Sequence, residues 1–189
     1  MPIDFVNLIK GRVTQTLLMA LFERGGYRVT RLGIEELFDE VKHLDLQQYI
    51  DLNLPLQLRR LPDLLVVDLD MTTAFLVEVK YRRHFDDAVA RALHDELDEQ
   101  RRDWPQANAA LMVSQPMVSG GSFHQDFIRV IAPNQTALLT DSTLSPADKW
   151  EQFHHIQRVF KGFNNQKYII DVQQSADKLT TALKDLANL

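Results

Sequence analysis

Two apolar runs separated by a short polar connection constrain this chain more than any other feature. Leu64 to Leu69 reads Leu-Leu-Val-Val-Asp-Leu, and Ala74 to Lys80 reads Ala-Phe-Leu-Val-Glu-Val-Lys. Asp70-Met71-Thr72-Thr73 lies between them as a tight turn. Such runs predict an antiparallel hairpin whose strands are covered on both faces, so the chain needs layers of structure on both sides of a sheet. Side chains alternate along a strand, which puts Glu78 and Lys80 on one face and Phe75, Val77 and Val79 on the other. A carboxylate and an ammonium under a covering layer need partners or an ion.

The flanking segments supply the layers. Residues 4–24 predict a helix with Phe5, Ile9, Val13, Leu17, Ala20 and Leu21 on one stripe, a second apolar side of Leu8, Met19 and Phe22, and Gly25-Gly26 as the stop. Tyr27 to Ile34 reads as a strand. Residues 35–51 read as a helix on Leu37, Phe38, Val41 and Leu44, and 52–61 as an edge strand containing Pro55. Residues 86–102 predict a helix with Val89, Leu93, Leu97 and Trp104 on one side, ended by Pro105. Ala109 to Ser114 and Phe127 to Ala132 follow as strands around a Gly120-Gly121 loop. Ser145-Pro146-x-Asp148 carries the cap, first-turn proline and first-turn acid of a helix, with Trp150, Phe153, Ile156 or Gln157, and Phe160 as its buried stripe. A last helix is expected over 175–188 on Ala176, Leu179, Leu183 and Leu186. The reading is one α/β core over residues 1–135 with a C-terminal helical extension, 145–189, packed on it.

The hairpin also predicts a site. If its turn centres on Met71-Thr72, Asp63 stands opposite Lys80 and diagonal to Glu78, at Cβ separations of about 4.5–5.5 Å and about 7–8 Å respectively. Asp63 and Glu78 can then share one divalent cation, and their hard oxygens suit Mg²⁺ or Mn²⁺. Such a cation lowers the pKa of a bound water and offsets charge on a phosphodiester, while Lys80 orients the water or stabilises the transition state. An exposed Glu78–Lys80 pair with Asp63 in a turn would explain the tripeptide equally well. The weight comes from Pro62-Asp63, the fifteen-residue spacing from Asp63 to Glu78, the apolar hairpin and the order of helices around it. Other chemistries find no support. The chain has no cysteine, no His-x-x-x-His pair and no glycine-rich loop with the spacing and lysine of a phosphate cradle.

The whole arrangement resembles the PD-(D/E)XK nuclease superfamily, the restriction-endonuclease-like group, whose core runs helix, three strands, helix, strand. Lys10-Gly11 and the segment from Phe22 to Arg31 are similar to the opening of archaeal Holliday-junction resolvases. The resemblance covers roughly residues 8–132. It implies a catalytic set of Asp63, Glu78 and Lys80, with the metal held by the two carboxylates and the backbone carbonyl of Val79. A first-helix glutamate completes that site in the resolvases, and the matching residue here is Gln15, which supplies no charge. Gln100-x-x-x-Trp104 resembles a Gln-x-x-x-Tyr element whose glutamine faces the active site. A boundary glutamine bonded to backbone would also account for it. Tyr81, Arg82 and Arg83 could contact phosphates near the cut or be ordinary loop residues.

The resemblance implies a Mg²⁺-dependent deoxyribonuclease with DNA as partner. An endonuclease of repair, recombination or restriction is favoured over a processive exonuclease, because no ATPase motif is present. The net charge of −5 argues against coating nucleic acid by charge alone, but residues 1–34 hold five bases, Arg12 among them, against two acids. Together with the neutral Gln15, that charge leaves open a catalytically inactive module of the same fold that binds nucleic acid or a protein, and an accidental motif on an unrelated α/β domain would show no convergence of the three residues. No apolar stretch approaches the roughly 18 residues of a membrane span, so a cytoplasmic protein without membrane contact is expected. The apolar faces after residue 145 either pair two chains in a homodimer or pack on their own core, and the second reading is preferred.

Overall fold

The computed structural model of the chain describes residues 5–37, 41, 43–115 and 127–163. Its centre is a six-stranded mixed sheet in the order β1-β2-β3-β4-β5-β6. Helix α1 (Phe5–Arg24) leads into β1 (Tyr27–Arg31), and three short helices follow: α2 (Ile34–Leu37), α3 (Leu46–Asp51) and α4 (Leu56–Arg59). Strands β2 (Leu64–Asp68) and β3 (Ala74–His84) form the hairpin. Helix α5 (Asp87–Asp103) crosses over to β4 (Asn108–Gln115), which runs parallel to β3, and β5 (Ile128–Ile131) returns antiparallel. A 3-10 helix (Pro133–Thr140), α6 (Pro146–Gln152), β6 (His154–His155) and α7 (Ile156–Val159) complete the described chain. No helix among the described residues is long and apolar enough to cross a membrane.

Each face of the sheet has its own core. On one, Leu18, Leu21 and Phe22 of α1 pack with Leu64, Val66, Val77 and Val130 from the strands and with Ile156, Phe160 and Phe163. On the other, Ala90, Leu93 and Leu97 of α5 pack with Ala109, Leu111, Val113 and Ile131, closed by Leu139, Trp150 and Phe153. Asp86 caps α5 by accepting from the Val89 amide at 2.8 Å. Arg101 fastens the far end, donating to the carbonyls of Ala107 and Ile131, and burial pushes its guanidinium down to about 10. The helix that overlies β3 is thus fixed at both ends.

Several expectations need correction. The buried line of α1 is Thr14, Leu18, Leu21 and Phe22, and Ala20 is exposed. Apolar residues fall on more than one side of the helix, which leaves its phase undetermined by pattern alone. The first strand stops at Arg31, and Ile34 opens a helix. The helix expected over 35–51 is broken: Asp45 accepts from the Gln48 amide while Gln48 accepts from the Asp45 amide, a capping box that starts α3 afresh. Residues 52–61 hold no strand. Pro55 instead precedes one turn of helix, its preset φ suiting that start.

The helix after Ser145 ends at Gln152, since its neighbours His154 and His155 turn extended and pair with β5. Residues 145–163 therefore contribute a strand to the sheet as well as helices against it. The Gly120-Gly121 loop, the helix over 175–188 and the side chains of Phe5, Leu8, Ile9 and Phe38 lie outside the described residues.

Candidate active site

The hairpin turn sets the site's register. Asp68 donates its amide to the Thr73 carbonyl at 3.0 Å and accepts from both the amide and the hydroxyl of Thr72 at 2.7 Å. Met71 takes a left-handed φ of 56° within this loop. The loop is therefore centred between Asp70 and Met71. Leu64 pairs with Val77 and Val67 with Ala74, a register that, continued one residue before the strand, sets Asp63 level with Glu78. The expected partner was Lys80, two residues further on. The shift is an even number of residues, so it leaves Asp63, Glu78 and Lys80 on the same face.

Five side chains surround this point. Asp63 turns one oxygen to the amide of Val79 at 2.7 Å, and the other accepts from the Gln15 side chain at 3.3 Å. Glu78 accepts from Lys80 at 2.9 Å through one oxygen and from Gln100 at 2.5 Å through the other. Gln100 is buried and bonds this carboxylate, not backbone. Gln15 arrives from α1 and Gln100 from α5, so one helix reaches Asp63 and the other reaches Glu78. The Glu78 and Lys80 side chains are 13% and 21% exposed, so they are shielded yet open to a ligand.

One further acid belongs to the group. Glu96 of α5 lies 3.1 Å from the Lys80 ammonium and 2.6 Å from Arg82. Burial works against the charge on Lys80, but Glu78 and then Glu96 outweigh it and hold its pKa above the ordinary lysine value. Burial likewise works against the Glu96 anion, and Lys80 and Arg82 hold its pKa below the usual carboxylate range. Sequence reading passed over Glu96, although it stands four residues before Gln100 and so on the same side of the helix. A cleft of about 250 Å³ opens here, lined by Glu78, Lys80, Glu96 and Gln100 and, from the α4 side, by Arg59, Arg60 and Leu61.

The remaining candidates lie further out. Arg12 is exposed on α1, one turn from Gln15. Tyr81 packs partly against the α1-side core, Arg82 is engaged by Glu96 and the Tyr81 carbonyl, and Arg83 is exposed. Trp104 donates its indole N–H to the carbonyl of Gln57, away from the carboxylates.

Among the described residues, no group of three or more histidine, cysteine, aspartate or glutamate side chains gathers as a metal cage. Asp63 and Glu78 are the carboxylates here that could hold a cation such as Mg²⁺, which binds through one or two carboxylates and keeps several waters. A carboxylate offers about four lone-pair sites, so the two donors on Glu78 do not exhaust it.

No protein-family model and no curated protein sequence matches this chain. Among solved structures, a Holliday junction resolvase from the archaeal hyperthermophile Archaeoglobus fulgidus is similar over 82% of this chain and 99% of its own, at 13% identity and a TM-score of 0.41. A likeness of this degree leaves Asp63, Glu78 and Lys80 to be judged on their own geometry.

Proposed function

We propose that the chain is a Mg²⁺- or Mn²⁺-dependent nuclease of the restriction-endonuclease-like type, hydrolysing DNA phosphodiester bonds as an endonuclease of repair, recombination or restriction. The observation that carries this reading is the Asp63 carboxylate bonded to the Val79 amide, next to Glu78, with Lys80 bonded to Glu78 and both Glu78 and Lys80 open to a cleft. Asp63, Glu78 and the Val79 carbonyl are the groups to hold the cation, which when bound acidifies a water and offsets phosphate charge. Lys80 donates an N–H to that water or to a non-bridging oxygen of the phosphate. The water gives up a proton to solvent as its oxygen bonds to phosphorus, the P–O ester bond breaks, the leaving oxygen takes a proton from solvent, and the products are a phosphate monoester and an alcohol. Gln100 keeps Glu78 aimed at the site, and Gln15 does the same for Asp63.

A second reading has one observation in its favour. Gln15 meets Asp63 with a neutral amide where a third carboxylate would strengthen cation binding. A catalytically inactive module of this fold that binds nucleic acid or a protein would carry such a residue. Incubation with supercoiled, linear and branched DNA in Mn²⁺, Mg²⁺ or EDTA separates the two. The nuclease cuts only with metal, and Asp63→Ala and Lys80→Ala both abolish cutting. A folded wild type that leaves every substrate intact defeats the nuclease reading, and cleavage gained on Gln15→Glu would then identify a disabled nuclease.

A further inference from the structure

Helix α5 and strand β3 match in spacing at the site. Two residues along a strand advance about 6.6–6.8 Å, and four residues along a helix advance about 6.0 Å. Gln100 consequently meets Glu78, and Glu96, one turn earlier, meets Lys80. The lysine ammonium has three N–H donors. One serves Glu78 at 2.9 Å and one serves Glu96 at 3.1 Å, leaving the third for a ligand in the cleft.

Glu96 is itself steadied from the other side. Its second oxygen accepts from Arg82 at 2.6 Å, and Arg82 also donates to the Tyr81 carbonyl at 2.9 Å. The carboxylate therefore cannot swing freely between Lys80 and solvent. Were Glu78 to hold a cation, Glu96 would be the anion left to keep the Lys80 ammonium in the cleft.

We propose that Glu96 is a positioning residue for Lys80, holding its ammonium beside the reacting phosphate once Glu78 turns to the metal. This role rests on the nuclease reading above. The Glu96 side chain is 41% exposed, so its ion pairs add little to stability, and its removal should register in activity first.

The test is steady-state cleavage of one DNA substrate at saturating Mn²⁺ by wild type, Glu96→Ala and Glu96→Gln, with the melting midpoint of each. Glu96→Ala should lower kcat by about 10–100-fold, the range for residues that orient a metal site's ligands. KM and the melting midpoint should stay close to wild type. Glu96→Gln should recover part of the loss, because its carbonyl oxygen still accepts from Lys80. A Glu96→Ala enzyme as fast as wild type overturns the proposal alone, as does a loss confined to KM, which would make Glu96 a DNA contact. A wild type inert with every metal overturns this role together with the nuclease reading.

Discussion

The two faces of β3 are built for different ends. Toward α1 its odd-numbered residues enter an aromatic cluster: Phe160 lies 4.7 Å from Phe22, 4.8 Å from Phe75 and 6.0 Å from Tyr27, ring centre to ring centre. Toward α5 the even-numbered residues Glu78, Lys80 and Arg82 meet Glu96 and Gln100. Val77 and Glu78 are adjacent in the chain, yet one is sealed in apolar contacts and the other is held by polar ones. A sheet one strand thick thus presents an apolar face and a polar one at consecutive positions.

Substitutions on the two sides should therefore part company in what they damage. The largest stability loss is expected for Phe160→Ala, about 3–5 kcal/mol in denaturant unfolding, with cleavage per folded molecule unchanged. An activity loss at full folding would break the comparison. Gln100→Ala comes next. It strips a donor from a shielded carboxylate, costing about 1–3 kcal/mol, and it should also cut metal-dependent cleavage, about 10–100-fold. Here the two measurements fall together, as only the α5 side predicts. Arg60→Ala is the smallest. Its pairs with Glu99 and Asp103 lie at the rim of the cleft. Their loss should cost about 0.2–1 kcal/mol, and the difference should shrink on raising the salt in the melt.

The site's members were legible where a local pattern specifies them. Period-two alternation placed Glu78 and Lys80 on one face, and the run of apolar residues announced the hairpin. The pairing register was not legible, because Leu69-Asp70-Met71-Thr72 contains no glycine or Asn-Gly to mark the turn's centre. Asp68, by gripping Thr72, settles it in space. Glu96 escaped notice for a different reason. Its partner lies sixteen residues earlier, and only the way α5 lies along β3 brings them together. The break after Gln152 is likewise invisible locally, since it answers to the edge of β5 that His154 and His155 pair with. By contrast, the Ser145 capping box and the Asp86 cap act within four residues and were readable in advance as helix starts or fall at the expected one.

The Tyr27 hydroxyl accepts from the amide of Gly162 at 2.7 Å across 135 residues of chain. At that junction a methyl group on Gly162 would come within 2.5 Å of the Gly25 carbonyl oxygen. At translation rates of about 5–20 residues per second, Gly162 leaves the ribosome roughly 7–27 s after Tyr27. During that interval Phe22 and Tyr27 lack the covering rings of Phe160 and Phe163, and the nascent sheet shows an oily flank to solvent or to whatever chaperone attends it. Closure of this aromatic cluster consequently waits on synthesis of residues 160–163, and a pause in translation ahead of Phe160 would lengthen the period in which the uncovered rings can aggregate.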